Sequence, residues 1–131
     1  MLHKVPRRAR RVLIAIGAVV VVIVAAVYLQ DHAVPVAFYC LRDERTLVVP
    51  VMSGPATWTR VGSLTESRDS VVIEVRELRA PGPSATGELI GLLVHLREPL
   101  GARRVIDGAT GVSMSPDAPE MCQGVRVQSG E

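Results

Sequence analysis

Two cysteines, three histidines and thirteen acidic side chains are the groups in this chain with chemistry to offer. Cys40 and Cys122 lie near the two ends of the region that follows an apolar N-terminal stretch. In an oxidising compartment they are a natural disulfide pair. Closing a loop of that size stabilises a fold by about 4–5 kcal/mol in the chain-entropy model. A metal site needs convergent ligands, and the sequence has no H-x-H, H-x-x-x-H or C-x-x-C. His3 and His32 stand alone, and His95 sits in an apolar run beside Arg97. Hydrolase chemistry on a nucleophile elbow requires G-x-S-x-G, and Gly111-Val112-Ser113-Met114-Ser115 fails at its last position. Phosphate-cradling and dinucleotide-binding glycine patterns are also missing. Glu74 with Glu77, or Glu98 with Asp107, are the carboxylate pairs available for acid–base work. The first pair points to opposite faces of a strand. The residues therefore predict no catalytic group, no cofactor and no metal.

What must position these groups is decided by Val12 to Leu29, eighteen residues without a charge. As a helix the stretch is about 27 Å long, close to a hydrocarbon core of about 30 Å. It predicts a single transmembrane helix in contact with membrane lipid. Residues 1–11 carry five basic side chains and no acidic ones, which places that end in the cytoplasm and the C-terminal hundred residues outside. Eighteen apolar residues are long for a cleaved signal, so the segment reads as a retained signal anchor in the plasma membrane. The alternative is a secreted soluble domain whose mature chain begins after Ala26. Cys40 follows Ala37-Phe38-Tyr39 rather than a lipobox, which excludes a lipid-modified cysteine.

The formal charge of +2 divides into a basic leader and a region of ten Arg against thirteen Asp and Glu. That region has no basic cluster in sequence and few aromatics, which argues against nucleic acid as a partner. One Lys against fourteen Arg, with no Asn, is the bias of a GC-rich genome.

The expected organisation is a leader at 1–11, a membrane helix at 12–29, a linker at 30–37, a β-domain at 38–127 and a disordered tail at 128–131. Within the β-domain, Ala37–Leu41, Thr46–Val51 and Trp58–Val61 read as short strands. In Ser70 to Leu78, Val71, Ile73 and Val75 share one face, with Glu74 and Arg76 on the other. Glu88 to Arg97 has Ile90, Leu92, Val94 and Leu96 on one face. The Pro/Gly loop between these two runs predicts that they pair as antiparallel neighbours. Arg103–Asp107, Val112–Met114 and the Val125/Val127 alternation supply further short strands. The fold expected is all-β, a small antiparallel sandwich or a partly open barrel.

The segment from His95 to Gly108, H-L-R-E-P-L-G-A-R-R-V-I-D-G, resembles the L-x-E-P-L-G-x-R-x-V-x-D-G stretch of small exported β-domain proteins from GC-rich Gram-positive bacteria. The resemblance implies an exported β-domain and supplies no activity. Four apolar residues remain on faces that ought to be wet: Val72 and Leu78 on one run, Leu89 and Leu93 on the other. They mark either a second covered face or a binding surface. The resulting expectation is a binding or accessory module in contact with another membrane or envelope protein, with an enzyme of unfamiliar site as the alternative.

Overall fold

The structure is a computed structural model and describes residues 7–28, 30–80, 87–116 and 122–128. A helix, α1 (Arg7–Tyr28), leads into nine strands among the described residues: β1 (Gln30–Val34), β2 (Phe38–Asp43), β3 (Thr46–Ser53), β4 (Thr57–Glu66), β5 (Ser70–Arg79), β6 (Glu88–His95), β7 (Arg104–Asp107), β8 (Ser115–Pro116) and β9 (Arg126–Gln128).

The expected membrane span is corrected. Among the described residues no helix is long and apolar enough to cross a membrane. Of its 22 residues, α1 spends four of the first five on arginine, which shortens its apolar part. The transmembrane helix expected at 12–29, with the single-pass orientation and plasma-membrane location that rested on it, falls with that finding. Residues 1–6 of the leader and 129–131 of the tail lie outside the described residues, as do the side chains around the cleavage alternative at Ala26.

The strands form two open sheets, so the fold is sandwich-like and the barrel alternative is excluded. In the first sheet β5 is central. β4 lies antiparallel along one side of it, while β1 and β7 share the other. β1 runs antiparallel to the second half of β5, from Gln30↔Arg79 to Val34↔Val75. β7 runs parallel to the first half, from Ser70↔Arg104 to Ile73↔Asp107. The second sheet has the order β8-β2-β3-β6-β9. Its short edge pairings β2–β8 and β6–β9 are also parallel, so both sheets are mixed rather than wholly antiparallel.

The alternation read in β5 and β6 is present, but the pairing inferred from it is not. Val71, Ile73 and Val75 are buried on β5, and Ile90, Leu92 and Val94 are buried on β6. The two strands belong to different sheets, and their apolar faces join one core. Alternation identifies the buried face of a strand but not the layer it is buried against. The linker expected at 30–37 likewise contains β1, whose Ala33 and Val34 lie against Arg76 and Val75. The central loop residues 81–86 and the loop residues 117–121 lie outside the described residues.

The core is almost wholly aliphatic: Leu47, Val49 and Val51 of β3, the β5 and β6 faces, Val105, Leu96 and Leu100, with Tyr39 and Met114 at its margins. Pro50 is tolerated within β3 because the recorded β2 pairing of β3 covers only Thr46 to Val48, leaving an edge there that needs no donor. β4 carries a bulge between Val61 and Ser63. A Cβ at the extra residue, Gly62, would lie 2.5 Å from Arg76 Cγ, so only glycine lets that side chain cross.

Cys40 and Cys122 form a disulfide with Cα atoms 6.3 Å apart and a sequence separation of 82. Beyond it the chain lies against the outer face of the second sheet. A Cβ on Gly91 would stand 2.6 Å from Val48 Cγ1 and 2.7 Å from Val125 Cγ1. The bridge thus ties a C-terminal cover to the sheet beneath it. Replacing both cysteines by serine is expected to lower unfolding free energy by about 4–5 kcal/mol, measured by urea titration. A loss below about 1 kcal/mol would show that the segment is held by packing alone.

Candidate functional site

The four apolar residues singled out in the sequence do not make one surface. Val72 and Leu78 lie half-buried on the outer face of the first sheet, where Leu78 is opposite the exposed Trp58. Leu89 and Leu93 belong to the outer face of the second sheet. That face is partly covered, because Val125 seals Gly91 between them. Leu89 faces Met52 across the β3–β6 ladder. With Phe38 and Pro50 these two line an open cavity of about 340 Å³ bordered by Val34 to Ala37.

Leu93 lines a different cavity, of about 310 Å³, between the two sheets. Arg60, Val61 and Leu64 of β4 form one wall, and Leu92, Leu93, Val94 and His95 of β6 form the other. Among the described residues β4 pairs only with β5, so its other side is a sheet edge ten residues long. The described β6–β9 pairing ends at Leu92, and among the described residues Leu93 to His95 have no neighbour on that side. Two free edges therefore flank an apolar cleft. Sequence reading missed it because Trp58 to Val61 shows little alternation and the strand continues to Glu66 through a bulge.

A third feature is polar. Arg103 holds the corner where β4 ends and the Glu98-Pro99-Leu100-Gly101 turn begins. Its Nη1 reaches Glu66 Oε2 at 3.0 Å, its Nη2 donates to the carbonyls of Glu98 and Pro99 at 2.7 and 2.9 Å, and its Nε donates to Leu100 O at 3.3 Å. Glu66 in turn accepts from the Arg97 amide at 2.8 Å. Gly101 takes a positive φ of 54°, a conformation in which glycine is favoured, and Leu100 is buried beneath the turn. Downstream, Asp107 is buried within its own turn, accepting from Ala109 N at 3.1 Å and Thr110 Oγ1 at 2.7 Å. Its carboxylate is thus committed to backbone geometry rather than to a partnership with Glu98. This is what the E-P-L-G-A-R-R-V-I-D-G segment does in the fold: it forms a clamped turn, a strand and a capped turn.

The remaining candidates are dispersed. Glu74 faces out of β5 and bonds Arg76 at 3.1 Å, while Glu77 faces inward, buried, with Arg79 at 3.3 Å. Asp31 of β1 receives Arg60 at 3.2 Å and Arg76 at 3.3 Å. Desolvation raises its pKa, but these two guanidiniums outweigh it and hold the carboxyl below its ordinary value. Thr46 Oγ1 and the exposed His95 Nδ1 are 3.4 Å apart. His32 lies opposite Glu77 in the β1–β5 ladder; His3 is outside the described residues. Among the described residues no three His, Cys, Asp or Glu side chains converge as metal ligands. The chain matches no protein-family model, no curated protein and no solved structure.

The clamp has a pH signature. The Arg97 amide is the largest influence on Glu66; desolvation opposes it and Arg103 adds to it, leaving the carboxyl below its ordinary value of 4.5. A carboxyl depressed by folding contributes stability above its unfolded value and loses it as pH falls through the folded one. Urea unfolding is therefore expected to show a fall in stability between pH 6 and pH 3. Glu66→Gln should shrink that fall, because its side chain no longer titrates. An equal fall in wild type and variant would remove Glu66 from the account.

Proposed function

We propose that this chain is a binding module of an oxidising, extracytoplasmic compartment. Its β-sandwich takes up an extended segment of another protein along the free edge of β4. The observation that carries the reading is the apolar cleft bounded by Val61, Leu64, Leu93 and Val94, with a sheet edge on either side. An unpaired strand presents a row of backbone donors and acceptors that an added strand satisfies, while the cleft takes alternate side chains. Gly62 shapes the edge: its bulge breaks the regular ladder, which discourages indiscriminate pairing and leaves two short stretches able to receive a partner. The disulfide supports the compartment, since such a bridge persists only under oxidising conditions.

The reading is tested with a displayed library of random peptides about ten residues long, a length matched to a strand, selected on the full chain. Selected peptides should alternate apolar and polar residues. They should slow amide exchange across Thr57–Glu66 when bound. Leu93→Ser should weaken them at least tenfold, since burying a leucine is worth about 1.5–3 kcal/mol, with thermal unfolding of the variant as the folding control. Protection elsewhere, or affinity unchanged in the variant, would refute edge binding.

A further inference from the structure

The sequence has no basic cluster after residue 30, yet folding makes one. Arg68, Arg97 and Arg103 line an open polar cavity of about 470 Å³ together with Glu66, Ser67 and Glu98. Arg68 and Arg103 also line its neighbour of about 360 Å³, with Asp69, Ala102 and Arg104. Four of the ten arginines that follow the leader thus gather at one corner of an otherwise acidic domain.

We propose that this corner is a binding site for a phosphate-type oxyanion, independent of the β4 cleft. Three observations carry the assignment. First, among the described residues Arg68, Arg97 and Arg104 have no ion-pair partner, so three guanidinium forks are uncommitted at the rim. Second, the shared wall is Arg103, whose side chain is only 9% exposed. Its bonds to Glu66, Glu98, Pro99 and Leu100 use four N–H groups. A guanidinium has five, and the fifth, on Nη1, remains for a ligand. Third, the backbone beneath is fixed. The Arg97 amide is held by Glu66, the Arg104 amide donates to Asp69 O at 3.1 Å, and Leu100 N donates to Glu44 O at 2.8 Å. Such forks match phosphate oxygens in pairs, and a preformed frame lowers the ordering cost of binding. Glu66, Glu98 and Asp69 also line the site, and the four arginines outnumber these three carboxylates.

The test uses the full chain at low ionic strength and pH 7.5, titrated with inorganic phosphate and separately with dimethyl phosphate. The arginine Nε–Hε resonances provide the readout. The two probes separate a free phosphate from a phosphodiester of a larger molecule, and saturable shifts with either support the site. Arg68→Ala combined with Arg104→Ala should weaken binding at least tenfold. Arg97→Gln should do so independently, because it keeps the residue 97 amide that Glu66 holds. Arg126→Ala, on β9, should leave the affinity unchanged. Absence of saturation at 10 mM of both probes, about the weak limit for a specific small anion, overturns the proposal. So does equal weakening by Arg126→Ala, which would mean that only net charge is being sensed.

Discussion

Burial of two aliphatic sheet faces against each other is the constraint on which the remaining structure depends. Val71, Ile73 and Val75 on one side meet Leu47, Val49, Ile90, Leu92 and Val94 on the other. Valine, leucine and isoleucine fill such an interlayer closely, but each buries less surface than an aromatic ring, and one Phe, one Trp and two Tyr are all the aromatics in the chain. A domain of this size buries a small core and has little stability in reserve. Its ends are therefore fastened by other means. The Cys40–Cys122 bridge ties the C-terminal segment over the second sheet, and the Arg103–Glu66 pair ties the turn after β6 to the end of β4.

These fastenings differ in kind. The disulfide acts chiefly by limiting the unfolded chain. The guanidinium acts in the folded state, where it serves three carbonyls of one turn and a carboxylate from another strand. A lysine would supply the charge but not the planar fork that reaches all four acceptors. Asp31 plays a looser version of this part, linking β1 to Arg60 and Arg76 at a more solvated site, where screening leaves little net energy.

What was legible in the sequence was the face of each strand, and what was not was its neighbour. The period-two pattern of β5 and β6 identified their buried residues because burial imposes it directly. The same pattern would arise in a hairpin or across two layers, so the pairing came out wrong. β1 was hidden because Gln30-Asp31-His32-Ala33-Val34 is polar for three residues; its place is set by Asp31 reaching two arginines and by Val34 reaching the core. Cys40 and Cys122 were legible as a pair because two thiols permit a single intramolecular connection. The arginine corner was invisible because its members come from the β4–β5 connection and from the stretch between β6 and β7.

The crossing from β5 to β6 also sets β6 opposite β4 across the cleft. Among the described residues β4 is the last strand of the first sheet, and β6 has only the short β9 beyond it. Edges left this way invite unwanted association unless they are interrupted. Here the interruption is Gly62, which the structure needs anyway so that Arg76 can cross to Asp31. One residue thus satisfies an internal contact and breaks the outer ladder, which gives the edge its particular shape without removing its capacity to pair.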